Sequence, residues 1–218
     1  MLPLIAYFGG SFDPIHIGHL ATAHYLTHHL QLKKLYFLPA YLSPLKSHSL
    51  DSTHRIAMLN LAIIDESKFA IDTRELLRPP PSYTIDTLQT LRKDHGATQP
   101  LAFIMGMDSF LNLTKWHNWQ QLTDFVHLIV VSRPTYTPIF STELQQWLNK
   151  RRCNEPQMLE YQAAGLIYFV ETPPYDMSST QLRTTIASRK MTQQELPQSV
   201  IDYIYQHHLY GATATNES

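Results

Sequence analysis

Gly9-Gly10-Ser11-Phe12-Asp13-Pro14-Ile15-His16-Ile17-Gly18-His19 is the stretch around which the chain is organised. Before it, Leu4-Ile5-Ala6-Tyr7-Phe8 is an apolar run with the length of one buried strand; after it, Leu20, Ala23, Leu26 and Leu30 fall on a single helical stripe. The stretch is therefore a turn between a strand and a helix. Paired glycines let backbone approach a ligand, Ser11 offers a hydroxyl, and a helix start leaves N–H groups free to bind phosphate. His16 and His19, three residues apart at that start, can point imidazole donors at one anion. For either histidine alone, an incidental place in a tight turn is the better reading. Two glycines, a serine and two histidines at one junction favour phosphate chemistry.

The chain has 218 residues, enough for one well-packed domain, and the expected division is a single domain over 1–210 followed by a disordered tail over 211–218. With 17 Lys+Arg against 18 Asp+Glu there is no charge bias of the kind that drives binding to nucleic acid or a membrane surface, so a small-molecule partner is expected. Cys153 is the single cysteine, which excludes an internal disulfide and suits a reducing compartment. No apolar run approaches the roughly 18 residues of a membrane span, and the N-terminus lacks the basic start of a secretory signal; the expected location is cytoplasmic. Nothing in the chain decides between a monomer and a homo-oligomer.

Further strands are expected at Leu35–Pro39, Phe69–Ile71, Leu101–Met105, Leu128–Val131 and Leu166–Val170. Between them, Asp51 or Ser52 can cap a helix with Ile56, Leu59 and Ile63 on one face, and Ser82 can cap a helix carrying Leu88 and Leu91. Strands alternating with helices imply an α/β fold, a Rossmann-like doubly wound parallel sheet with helices on both faces. Ligands of such sheets lie beyond the carboxyl ends of the strands. Polar sets follow the strands accordingly: Gly9 to His19, then Gly106-Met107-Asp108, Ser132-Arg133-Pro134, and Ser178-Ser179-Thr180-Gln181-Leu182-Arg183. In the last set a serine caps a helix with Ser179 and Arg183 on one face; this is either an anion site or an ordinary capped helix with a solvent-facing arginine.

The literal His16-Ile17-Gly18-His19 resembles the signature of the HIGH nucleotidyltransferase superfamily. Within it, the bacterial nicotinate-nucleotide adenylyltransferases are similar to this chain from the first strand to the final helix, through GGSFDPIHIGH, Ser82-Tyr83-Thr84 with Thr87-Leu88, Gly106-Met107-Asp108 with Trp116, Ser132-Arg133-Pro134 and Ser178 to Arg183. The resemblance implies transfer of AMP from ATP to nicotinic acid mononucleotide, giving deamido-NAD and pyrophosphate. It places Gly9, Gly10, Ser11, Phe12, His16, His19, Gly106, Asp108, Arg133, Ser178, Ser179 and Arg183 around ATP, with His16, His19 and Arg183 catalytic. It places Lys46, Ser82, Tyr83, Thr84, Trp116 and His117 around the second nucleotide, where an indole face can stack on a pyridine ring. Where the family carries Pro-His-Lys (or Arg), this chain has Pro44-Leu45-Lys46; Leu45 cannot donate, so His48 substitutes or the contact is dispensable.

The acceptor is already anionic, so catalysis is positioning and charge stabilisation, with a Mg2+ ion expected to bridge ATP phosphates and keep waters. The alternatives are another HIGH-family adenylyltransferase, such as pantetheine-phosphate adenylyltransferase, or a non-catalytic nucleotide sensor. The former lacks the Ser82–Thr84 and Trp116 blocks in this arrangement; ATP turnover discriminates the latter. His24 and His28 have two-His zinc spacing but no third ligand, and are expected on a solvated face. His207-His208 suits a helix C-terminus.

Overall fold

In the computed structural model, which describes residues 2–41, 50–79, 81–132, 138–173, 179–188 and 192–212, strand β1 (Ile5–Gly10) pairs in parallel on both sides. One neighbour is β2 (Lys34–Pro39) and the other β4 (Leu101–Gly106). With β3 (Phe69–Ile71), β5 (His127–Ser132), β6 (Arg152–Cys153) and β7 (Ile167–Glu171), the described residues form a seven-stranded parallel sheet in the order β3-β2-β1-β4-β5-β7-β6. The order reverses between β1 and β4, which opens a crevice beyond their carboxyl ends.

Side chains alternate across the sheet with period two, so each strand feeds two cores. Leu4, Ala6 and Phe8 join Ala102 and Ile104 on one face, beneath α1 (Ile17–His29), α2 (Ser52–Ile63), α7 (Ser179–Ala187) and α8 (Gln198–Gln206). Ile5 and Tyr7 join Leu101, Phe103 and Met105 on the other, beneath α3 (Thr84–His95), α4 (Met107–Leu111), α5 (Leu122–Phe125) and α6 (Thr142–Asn149). The expected doubly wound fold is the one present.

Helix α1 buries the expected stripe of Leu20, Ala23, Leu26 and Leu30. Asp51, not Ser52, caps α2, its Oδ1 accepting the Thr53 amide at 2.8 Å. The inner face of α2 differs from expectation: Ile56 is half-buried, while Arg55 is sealed in beside Met58, Leu59 and Ile63. Ser82 does not cap α3; Tyr83 takes that position with extended backbone and no side-chain cap. Edge strand β6, only two residues long, has no periodicity to betray it. The packed chain also runs past 210, because Leu209–Gly211 forms a 3-10 turn and Ala212 is buried; residues 213–218 lie outside the described residues. Among the described residues no helix is long and apolar enough to cross a membrane.

Candidate active site

At the carboxyl end of β1 the two glycines serve packing. A Cβ on Gly9 would collide with the Phe103 ring, and one on Gly10 would lie 2.9 Å from the ring of Phe12. Both absent side chains are thus replaced by aromatic carbon, a packing requirement on this pair beside the expected approach of a ligand to its backbone. Gly106, across the crevice on β4, is the open one: it is exposed, and a Cβ there would meet nothing within 4 Å. Asp108 is exposed in the first turn of the short helix that follows.

The helix-start amides are also more committed than expected. The Ile17 amide donates to the Glu195 carbonyl at 2.9 Å, and the His19 amide donates to the His16 carbonyl at 2.9 Å. The His16 amide donates to His19 Nδ1 at 3.3 Å. Beside these amides the two imidazole rings stack with centroids 3.6 Å apart. His16 is 6% exposed, and burial pushes it down to about 4, so its imidazole is neutral at physiological pH. Its Nδ1 is buried with no partner among the described residues. A buried neutral ring of this kind supplies a donor for a phosphate oxygen, and an arriving polyanion favours its protonated form.

Helix α7 closes the site from the other side. Arg183 donates from Nη1 to the Asp13 carbonyl at 2.8 Å and from Nη2 to Thr180 Oγ1 at 3.2 Å. Ser179 Oγ lies 3.5 Å from the Pro14 carbonyl. The structure thus gathers Gly9, Gly10, Ser11, Phe12, His16, His19, Ser179 and Arg183 around one turn, although Arg183 grips that turn through a carbonyl. Lys46, with Leu45 and His48, and also Arg133 and Ser178, lie outside the described residues.

The second expected set also meets. The Tyr83 ring lies 4.6 Å from that of His117, which joins the start of α3 to the segment after β4. Thr84 opens α3, Trp116 is half-buried against the adjacent core, and Ser82 Oγ is buried with no partner among the described residues. Trp119, by contrast, is a core residue packed on Trp147 at 4.9 Å. His24 lies 3.1 Å from Glu66, and His207 occupies the C-terminal cap of α8, against Tyr203.

A family model described as cytidylyltransferase-like matches residues 7–185. A Yersinia pestis protein named "Probable nicotinate-nucleotide adenylyltransferase" is 44% identical over 209 residues, 95% of each chain. The chain belongs to the nicotinate-nucleotide adenylyltransferases of the cytidylyltransferase-like family. A Klebsiella pneumoniae protein of the same name is 40% identical over 96% of this chain and 98% of its own. In fold, the chain is similar to Plasmodium falciparum nicotinic acid mononucleotide adenylyltransferase complexed with NaAD, with a TM-score of 0.72 at 19% identity, covering 97% of this chain and 98% of that one.

Beside the family's motif residues stand groups that motif reading missed. Glu75, raised by burial, accepts the Thr87 hydroxyl at 2.9 Å, and Arg78 donates to the same hydroxyl at 2.9 Å, so the segment before Ser82 is tied to the first turn of α3. Arg55, Asp13 and Tyr210 hold the turn after β1. The legible signal for Arg55 was a charge sitting three and four residues before Met58 and Leu59 on a buried helical face.

Proposed function

We propose that this nicotinate-nucleotide adenylyltransferase joins AMP from ATP to the phosphate of nicotinic acid mononucleotide. A phosphate oxygen of the mononucleotide attacks the α-phosphorus, the bond from that phosphorus to the bridging oxygen breaks, and pyrophosphate leaves with the electron pair. The observation that carries the reading is the stacked His16–His19 pair at the β1/β4 switch point, in a chain of this family.

No proton need be removed from an anionic nucleophile, so the site works by holding two anions in line. His16 and His19 face the triphosphate from below, with Arg183 and Ser179 above. Gly106 leaves room for the adenosine, near Asp108. Ser82, Tyr83, Thr84, Trp116 and His117 take the pyridine nucleotide, and Lys46, Arg133 and Ser178 complete the set by their positions in the family motifs. Among the described residues no three metal-ligating side chains converge, and both oxygens of Asp13 already accept hydrogen bonds. These residues suit a Mg2+ ion held by ATP oxygens and water rather than by a protein cage. When bound, the ion neutralises charge on the phosphates. Balanced charge and the lone buried Cys153 support small substrates and a cytoplasmic setting.

The test is pyrophosphate release by purified protein with ATP and Mg2+, comparing nicotinic acid mononucleotide with nicotinamide mononucleotide. Strong preference for the acid is expected. Release with neither acceptor from folded protein overturns the reading; equal release with both removes the specificity for the acid.

A further inference from the structure

The turn from Ser11 to His16 holds an unfavourable shape. Phe12 sits at φ 46°, in the left-handed region that L side chains rarely occupy unless their surroundings over-determine it. Its ring is 1% exposed and packs edge-on against His19 at 5.1 Å, Phe37 at 5.4 Å and Phe8 at 5.7 Å. Phe12 thus packs directly against the His19 ring, which in turn stacks on that of His16.

The residues on either side of Phe12 are both gripped by distant elements. Arg55, 1% exposed on α2, donates from Nη1 to the Ser11 carbonyl at 2.7 Å. Its remaining bonds go from Nη2 to the Tyr41 carbonyl at 3.1 Å and from Nε to the Leu50 carbonyl at 3.1 Å, so one guanidinium joins the turn to both ends of the segment that carries Lys46. On the other side, the carboxylate of Asp13, 4% exposed, accepts the Tyr210 hydroxyl on Oδ1 at 2.6 Å and the Leu50 amide on Oδ2 at 3.2 Å. Tyr210 lies 197 residues along the chain from Asp13 and is itself at φ 56°, in the 3-10 turn Leu209–Gly211.

We infer that Arg55 and the Tyr210–Asp13 pair are positioning residues for adenylyl transfer, a two-sided brace that fixes Phe12 and so the His16–His19 stack. Arg55 is 1% exposed, its Nε, Nη1 and Nη2 each donate to a backbone carbonyl, and the Tyr210 hydroxyl donates to Asp13, so both act on the turn through hydrogen bonds to it. Its catalytic consequence rests on the function proposed above; its structural consequence does not. Buried hydrogen bonds to charged groups are worth more than neutral ones, and a small displacement of a catalytic group costs rate steeply.

Four variants test it: Tyr210→Phe, which keeps the ring and removes the donor; Asp13→Asn; and Arg55→Met with Arg55→Lys as the conservative partner. In Tyr210→Phe, kcat should fall about tenfold with the KM for the mononucleotide unchanged; Arg55→Met should fall on the order of 100-fold, partly restored in Arg55→Lys. The ring proton resonances of His16 and His19 in the ligand-free protein, displaced in the wild type by their stacking, should move toward those of free histidine while the urea midpoint still reports a folded chain. Should Arg55→Met not fold, Tyr210→Phe and Asp13→Asn decide the matter. Wild-type kcat and unmoved ring resonances in folded Tyr210→Phe would sink the brace. A wild-type protein without transferase activity would sink the proposed function instead, with the ring resonances still deciding whether the brace positions the stack.

Discussion

The chemistry of the site turns on two imidazoles that differ in surroundings although their rings touch. His16 is enclosed and, with its ionisation pushed down to about 4, neutral; His19 is half-buried, receives the His16 amide on Nδ1 and leans on Phe12. With His16 neutral, the stack avoids the repulsion two cations would suffer 3.6 Å apart, and the triphosphate supplies the charge that favours proton uptake. The nearby amides of Ile17 and His19 are engaged in backbone bonds, so neither stands in for a lost ring. Replacing His16 or His19 with Ala should therefore lower kcat on the order of 100-fold, as loss of a single transition-state donor does elsewhere, with the fold kept. Steady-state kinetics on the folded variants checks this, and wild-type turnover in His19→Ala would remove it from the site.

Among the elements, strand β1 and helix α2 mark how far local pattern carries. The strand–turn–helix at the N-terminus was legible because its signals are local: an apolar run, a turn, then a stripe at helical spacing. The purpose of Gly9 was not, since Phe103, which fills the missing side chain's place, comes from a strand 94 positions later and is brought close only by β1–β4 pairing. The same holds for Arg55 and Tyr210, whose bonds to the turn span 44 and 197 positions. Motifs thus exposed the residues that face ligand, while the residues that hold those motifs in shape became visible only through long-range contacts. Gly9→Ala should consequently act as overpacking and destabilise by about 1–3 kcal/mol. Adding Phe103→Leu should recover part of that loss, because the two positions share one volume. Urea unfolding of the two single variants and the double variant measures the coupling; additive effects would mean that Gly9 is required for some reason other than the ring.

At the scale of the whole molecule, stability responds to acid through histidines buried without charge. His127, on β5, is fully enclosed: its Nε2 donates to the Gln162 carbonyl at 2.9 Å and its Nδ1 accepts the Leu166 amide at 3.1 Å, which fixes the neutral tautomer and ties the strand to the segment leading into β7. Burial pushes it down to about 4, against about 6.5 in an unfolded chain. Between those values the unfolded chain carries a proton that the native chain does not, so stability rises with pH across that window. The contribution is fully present above pH 6.5 or so, is lost as pH falls toward about 4, and changes no further once the native ring is also protonated. At about 1.4 kcal/mol per unit it is on the order of 3 kcal/mol, and His16 adds a parallel contribution over the same range. His127→Leu should be less stable than wild type at pH 7.5, since the Leu166 amide and Gln162 carbonyl lose their partner. Its stability should nevertheless decline less steeply between pH 6 and 4.5, by about one proton's worth of slope, because the group that took up the proton on unfolding is gone. Urea midpoints at a series of pH values read both effects, and an unchanged slope in His127→Leu would assign the acid sensitivity to His16 and other groups.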